Sequence, residues 1–343
     1  MQAVRLYPSP QGTPPYTPSN PAPTSALHQD IIPIPKVLKP GEVLVKMKAS
    51  TVIRDTLTWP EMYAHEYAIP GNDLSGTVVE VFGPSRFNPG DEVFGMLSAD
   101  RPGAWAEYVI ALEDEIAHKP RTLSWEEAAA LPLSAMTAYE ALFTHGGVPI
   151  PSDEDAVVNR QNPDSSPGRT KNLLVTGAAG AVGVHVVQLA KLSGMHITAA
   201  TGSNDRNRQF LRDLGAHETI EYAALKTGSH GDRYDVVIDT VGGQILVDVW
   251  GCVRGGGRLI SVDSSSFNFV EEHAERRIRR DDVEALFFIV KGDRASLDAL
   301  ARFAGLGMLR VFVLDVYPLE KAREAYDRAN GRLAGRGKIV LAS

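Results

Sequence analysis

The chain has 343 residues, a single cysteine, a formal net charge of −7, and 43% apolar against 22% charged residues. That is the make-up of an ordinary globular protein with ample core, long enough for two domains at ~150 residues each. The charge argues against a nucleic-acid surface, no apolar run approaches the ~20 residues of a membrane-spanning helix, and one cysteine rules out an internal disulfide. The opening MQAVRLYPSPQG lacks the apolar stretch of a secretory signal, so the expected location is cytoplasmic.

Taken in chain order, Met1–Tyr7 predicts a strand, and the proline-rich Pro8–Pro23 excludes helix and central strand. Short apolar or alternating runs follow at Glu42–Lys48, Gly76–Phe82 and Trp105–Ala111, separated by the turns Lys39-Pro40-Gly41 and Asn88-Pro89-Gly90-Asp91. Short strands at that spacing predict a compact β-barrel. A helical stretch ends near Phe143. Val148–Thr170 (VPIPSDEDAVVNRQNPDSSPGRT) then shows no sustained periodicity and predicts a long, poorly ordered loop.

Asn172–Gly194 (NLLVTGAAGAVGVHVVQLAKLSG) is the most informative segment. An apolar strand, Leu173–Val175, runs into a turn with Gly177, Gly180 and Gly183, and apolar residues then recur at helical spacing from Val184 to Leu192. Strand, glycine turn and helix in that order form a dinucleotide fingerprint, because glycine admits a pyrophosphate and the helix amides bind its charge. Ala178 breaks the strict glycine spacing, so a turn that merely packs a helix on a sheet is the alternative. Further strands are predicted at His196–Thr201, Glu218–Tyr222, Tyr234–Thr240, Gly257–Asp263 and Ala285–Val290, with an amphipathic helix at Arg206–Leu214 closed by Gly215. The alternation implies an α/β, doubly wound parallel sheet whose loops after Gly177, Thr201, Thr240 and Asp263 line the cofactor site. Arg276–Arg280, flanked by acids, reads as a solvated helix face, and Cys252 as a packed core thiol. Arg310–Val316 and Lys338–Leu341 return to the short-strand style of the first 130 residues.

Over nearly its whole length the chain resembles the medium-chain dehydrogenase/reductase family, in its quinone oxidoreductase and enoyl reductase branch. The resemblance is carried by PGEVLVKMKAS (40–50), RDTL (54–57), PGNDLSGTVVEV (70–81), FNPGDEVFGM (87–96), LSWEEAAALPLSAMTAYEAL (123–142), the glycine turn, DTVGG (239–243) and RGKIVL (336–341). It implies a GroES-like β-barrel catalytic domain over residues 1–130 and 310–343. A Rossmann NADP-binding domain would span 131–309, with 148–170 inserted, and the active site would lie in a cleft between the two. It also implies a homodimer, with a monomer as the alternative. The insertion is similar to one in fungal trans-acting enoyl reductases.

Many relatives are zinc enzymes, and a catalytic zinc needs three protein ligands. Here Asn72 stands where a histidine ligand is usual, no cysteine lies near residues 49–55, and Cys252 is alone, so no metal site is expected. His65 reads as a surface histidine. Without a Lewis acid the chain suits acceptors that take hydride unaided, namely conjugated carbonyls or quinones, whose charge spreads onto an oxygen. The resemblance places Asn72, Thr137 and Tyr139 as candidate donors to that oxygen, with Tyr63 and Tyr67 as further candidates. Val52 replaces an asparagine common in relatives, and no residue is assigned as proton donor.

NADPH is the expected cofactor. NAD enzymes place an acid after the second strand, whereas Gly202 stands there, with Ser203, Asn204 and Arg206 available to a 2′-phosphate and Tyr222 resembling a family tyrosine that meets it. Asp205 is the one nearby acid that could turn back to a ribose. The full set of candidate cofactor contacts is Arg54, Asp55, Gly177, Ala179, Gly180, Ala181, Val182, Gly202, Ser203, Asn204, Arg206, Tyr222, Thr240, Val262, Gly337 and Lys338. The first functional expectation is reduction of conjugated C=C bonds in secondary-metabolite biosynthesis. The alternatives are an NADPH:quinone oxidoreductase in detoxification and a non-catalytic NADPH-binding protein.

Overall fold

The computed structural model describes residues 1–161, 171–226, 231–331 and 335–343. The chain divides into two compact units, Met1–Leu133 with Lys291–Ser343, and Ser134–Val290. Residues 291–309, expected with the nucleotide-binding half, therefore belong to the first unit. The reason lies in the helix Arg294–Gly305, which Asp293 caps through the Ser296 N–H. Its apolar face (Leu297, Leu300, Phe303) is buried, the Thr122 hydroxyl donates to its Ala304 carbonyl at 3.4 Å, and Asp298 pairs with Arg86.

Strands of the first unit are β1 (Gln2–Leu6), β2 (Leu27–Ile31), β3 (Glu42–Val52), β4 (Asp73–Val81), β5 (Glu92–Met96), β6 (Tyr108–Leu112) and β7 (Ile116–His118). Those of the second are β8 (Asn172–Val175), β9 (His196–Thr201), β10 (Glu218–Glu221), β11 (Tyr234–Asp239), β12 (Val253–Ser261) and β13 (Glu284–Phe287). The chain then returns to the first unit with β14 (Val313–Pro318) and β15 (Lys338–Ala342).

In the first unit β1 and β2 pair antiparallel, while a seven-stranded sheet runs β14-β15-β3-β4-β5-β7 with β6 also on β3. Met47, Leu74, Phe87, Trp105 and Leu341 are among its fully buried apolar residues. Gly71 is required where it stands, since its φ of +104° and the Trp105 ring against it leave no room for a β-carbon. The Trp105 indole N–H donates to the Thr51 carbonyl at 3.0 Å, which closes this corner of the core.

The second unit carries a six-stranded parallel sheet in the order β10-β9-β8-β11-β12-β13. The order reverses between β8 and β11, where such sheets bind ligands. Val148–Thr170 is not the uniform loop expected, because Asp153–Gln161 forms a helix. Ser152 accepts from the Asp155 N–H at 3.1 Å and three acids fill the first turn, as a helix N-terminus favours. Ala156 is buried, and the Asn159 amide donates to the Leu192 carbonyl at 2.9 Å. The rest of that expected loop, 162–170, lies outside the described residues.

One polar pair is built into the apolar core of this unit. The Trp250 indole N–H donates to Nδ1 of His273 at 2.8 Å, both side chains are buried, and Phe269 packs edge-on against the imidazole. Burial first, and Arg276 second, hold the His273 pKa below its ordinary value of 6.5. Protonation would also turn Nδ1 from acceptor to donor and break the tryptophan bond. The unfolded chain therefore takes up this proton before the folded one does. Stability is full above about pH 6.5 and falls as the pH drops below it. Thermal melts of wild type should lose stability between pH 7.5 and 5.5. His273→Gln, which keeps an acceptor that does not titrate, should flatten part of that loss, and an unchanged slope would show that other groups carry it.

Candidate functional site

Three strands of the second unit end on one buried carboxylate. Asp239 closes β11 and is completely buried. Its Oδ1 accepts from the Thr176 hydroxyl at 2.6 Å and the Val241 N–H at 3.4 Å, and Oδ2 from the Gly242 N–H at 2.9 Å and the Ser261 hydroxyl at 3.0 Å. Burial pushes its carboxyl above the usual range, and these four donors pull it back. Thr240 adds a double bond to Thr176, with its N–H donating to the hydroxyl at 3.1 Å and its own hydroxyl donating to the carbonyl at 3.0 Å. The Val262 N–H donates to the Asp239 carbonyl at 3.0 Å. The loops after β8, β11 and β12 are thus held to a common centre. Sequence reading took Thr240 and Val262 as site residues and missed Asp239. The signal was an acid at the end of an otherwise apolar strand, YDVVID, which can be buried only with donors around it.

The turn after β8 is built on glycines that its packing requires. Gly177 has φ +63°, and a β-carbon there would strike the Thr240 hydroxyl. A β-carbon on Gly183 would strike the Gly177 carbonyl, so both glycines are fixed by packing. The Gly177 N–H donates to the Tyr222 hydroxyl at 3.2 Å, the Ala178 N–H to Ala200, and the Gly180 N–H back to Gly177. Among the described residues the N–H groups of Ala179, Ala181 and Val182 find no partner. Those amides stand at the head of the helix Gly183–Leu192, where the helix dipole favours an anion. This geometry fits a pyrophosphate.

The corner after β9 is also open. Gly202 follows Thr201, and only the Tyr222 ring, at 3.8 Å, would meet a β-carbon there. Ser203 precedes the helix Asn204–Leu214 without capping it through its side chain. Asn204 donates from its amide to the Thr219 carbonyl at 3.4 Å, and Arg206 is exposed. Tyr222 is half-buried and opens a short helix, Tyr222–Leu225, rather than closing the strand. The structure thus brings Gly177, Ala179–Val182, Gly202–Asn204, Tyr222, Thr240 and Val262 to the carboxyl end of one sheet. Thr137 and Tyr139 also belong to this unit, both buried, with the Tyr139 ring edge-on to Phe143. Cys252 is buried, its thiol pushed up to about 11 by burial, so it is no nucleophile at neutral pH.

Candidates in the first unit fare differently. The Tyr63 hydroxyl is engaged within the unit, donating to the Leu57 carbonyl and accepting from the Ala22 N–H at 2.9 Å. Tyr67 lies under the Arg5 guanidinium at 4.4 Å and packs edge-on to Tyr7. Lys338, expected at the cofactor, is buried and bound to Asp73 at 2.6 Å, and Gly337 is pressed against the Phe312 carbonyl. Arg54 and Asp55 pair loosely at 3.5 Å on the surface. Asn72 is buried and gives one amide N–H to the Leu97 carbonyl at 3.2 Å. Val52 is part of the apolar core, and His65 is exposed.

Residues 39–121 match the alcohol dehydrogenase GroES-like domain, and residues 214–341 the zinc-binding dehydrogenase family. The quinone-oxidoreductase homolog of Spinacia oleracea chloroplasts is 35% identical over 93% of this chain and 94% of its own. The probable mitochondrial zinc-binding oxidoreductase of Arthroderma benhamiae is 34% identical over 94% of each. The solved quinone oxidoreductase of Coxiella burnetii superposes with a TM-score of 0.79 at 25% identity, over 100% of this chain and 99% of that one. The fold and its relatives define a two-domain oxidoreductase, a GroES-like domain joined to a Rossmann domain of the NAD(P)H-binding type. The chain belongs to the medium-chain dehydrogenase/reductase family, in the branch related to the quinone oxidoreductases.

The zinc in the names of some relatives has no counterpart in donor chemistry here. Among the described residues, no group of three His, Cys, Asp or Glu side chains comes together to hold a metal. Elemental analysis of the purified protein should find no stoichiometric zinc, and chelators should leave its activity unchanged. One zinc per chain would overturn the reading of Asn72.

Proposed function

We propose that the protein is an NADPH-dependent, metal-independent reductase of quinones. The observation that carries this reading is the glycine turn at the head of the helix Gly183–Leu192, with three unpartnered amides in a chain similar end to end to quinone oxidoreductases. The relatives favour the quinone reading over reduction of enoyl compounds, the first expectation from sequence. A bound NADPH would supply the hydride, and everything else falls to the chain. The amides of Ala179, Ala181 and Val182 would hold the pyrophosphate. Gly202, Ser203, Asn204 and Arg206 would receive the 2′-phosphate, with the Tyr222 ring as the wall of that corner.

A quinone accepts hydride without a Lewis acid because the charge it gains spreads onto an oxygen, which hydrogen bonds then stabilise. Asn72, whose side-chain amide gives one N–H to the Leu97 carbonyl, would offer its second N–H to such an oxygen. Protonation is assigned to solvent.

The reaction is tested with deuterium-labelled NADPH and a panel of quinones, enones and simple alcohols with NADP. Quinones should be reduced, with deuterium lost from the cofactor. Efficient alcohol oxidation with no turnover of quinones would overturn the proposal, and turnover of enones alone would restore the enoyl reading.

The cofactor half is tested at Gly202. A β-carbon there meets only the Tyr222 ring, at 3.8 Å, so Gly202→Asp can be introduced to put a carboxylate at this corner. Beside a 2′-phosphate that charge repels. The preference for NADPH over NADH in kcat/KM should fall about tenfold or more, equivalent to ~1.4 kcal/mol. A ratio that does not move would show that the 2′-phosphate binds elsewhere.

A further inference from the structure

The corner after β9 contains a carboxylate that does not come from β9. Glu221 ends the neighbouring strand β10, in register with Thr201, and its Oε1 accepts from the backbone N–H of Asn204 at 2.8 Å. Asn204 is the first residue of the eleven-residue helix Asn204–Leu214, and Ser203 offers that helix no side-chain cap. Glu221 therefore caps the helix from an adjacent strand. Tyr222, the next residue, is the ring nearest Gly202 and the acceptor of the Gly177 N–H. Two consecutive residues thus tie the β9 corner and the glycine turn to the end of β10.

A 2′-phosphate at this corner would compete with Glu221 for the Asn204 amide and would meet its charge. A 2′-hydroxyl would meet the same carboxylate as a hydrogen-bond acceptor. We propose that Glu221 sets the cofactor preference of the enzyme, restraining recognition of the 2′-phosphate and allowing NADH to compete. This rests on the reading above that a dinucleotide binds at the carboxyl ends of these strands. The element is repulsive, one of the two means by which a site discriminates between ligands. It supplies from β10 the acid that the Gly202 position lacks, so the absence of an acid after β9 does not by itself make the site exclusive for NADPH.

The test is direct binding. Dissociation constants are measured by calorimetry for NADPH, NADH and the fragments 2′,5′-ADP and 5′-AMP, on wild type, Glu221→Gln and Glu221→Lys. Gln keeps an acceptor for the Asn204 amide while removing the charge, so the cap and the fold are retained, which a thermal melt checks. Glu221→Gln should tighten 2′,5′-ADP and NADPH about five- to tenfold and leave 5′-AMP within about twofold. Glu221→Lys should tighten the two 2′-phosphorylated ligands further and weaken NADH. If wild type binds both dinucleotides and neither variant moves the ratio, the role of Glu221 is wrong and the dinucleotide site stands. If wild type binds neither, the site itself is wrong and the inference falls with it.

Discussion

The dinucleotide-binding half depends on a carboxylate kept away from water. An unpaired charge at the depth of Asp239 would be strongly destabilising, and four donors from three strand ends make it tolerable. Those donors come from Thr176, Ser261 and the backbone at 241–242, so burying one acid fixes where β8, β11 and β12 stop and how their loops leave the sheet. The glycine turn is placed by the same device. Thr240, held to Thr176 by two bonds, is the atom group against which Gly177 is packed, and no other residue type fits there. The amides left open at Ala179, Ala181 and Val182 follow from a backbone held this way.

The first unit solves a similar problem with an ion pair. Asp73 is completely buried on β4, and Lys338 reaches it from β15 at 2.6 Å. The Thr51 hydroxyl and the Leu133 N–H also donate to its carboxylate, and Ser50 donates to the Asp73 carbonyl. Such a pair adds little net stability, because desolvation offsets most of the Coulomb attraction. Its effect is on register: β3, β4 and β15 can each occupy only the alignment that brings these groups together. That accounts for both the ND of PGNDLSG and the GK of RGKIVL without a ligand. A lysine beside a glycine near the end of the chain reads as a phosphate or cofactor contact in sequence, and packing gives it another role.

Much of the fold is legible because the central strands of the second unit, β8, β9 and β11, are buried on both faces. His196–Thr201 was placed without error, and the other five within a few residues, β12 starting four residues early. In the first unit β2, β5 and β7 escaped notice. They are short, and LHQDI and EVFGM carry no alternation strong enough to stand out from the surrounding loops. The helix Asp153–Gln161 was hidden by its polar composition, although Ser152 followed by three acids is a helix start that could have been read. The hydrogen-bond partners of Tyr63, Ala22 and Leu57, are placed by the tertiary fold and are in no linear pattern.

The β9 corner shows the same limit at the level of function. A search along one strand asks which residue follows it, finds Gly202, and infers room for a phosphate. The corner, however, is built by three elements. β9 supplies the opening, the helix Asn204–Leu214 supplies an amide, and the end of β10 supplies the acid on that amide with, one residue further on, the tyrosine that walls the gap. Glu221 and Thr201 are twenty residues apart in sequence and partners in register, which is what a parallel sheet does to residues at the ends of adjacent strands. The charge that a ligand meets at a strand end is therefore the sum over neighbouring strands. Specificity read from a single strand omits the terms that its neighbours contribute.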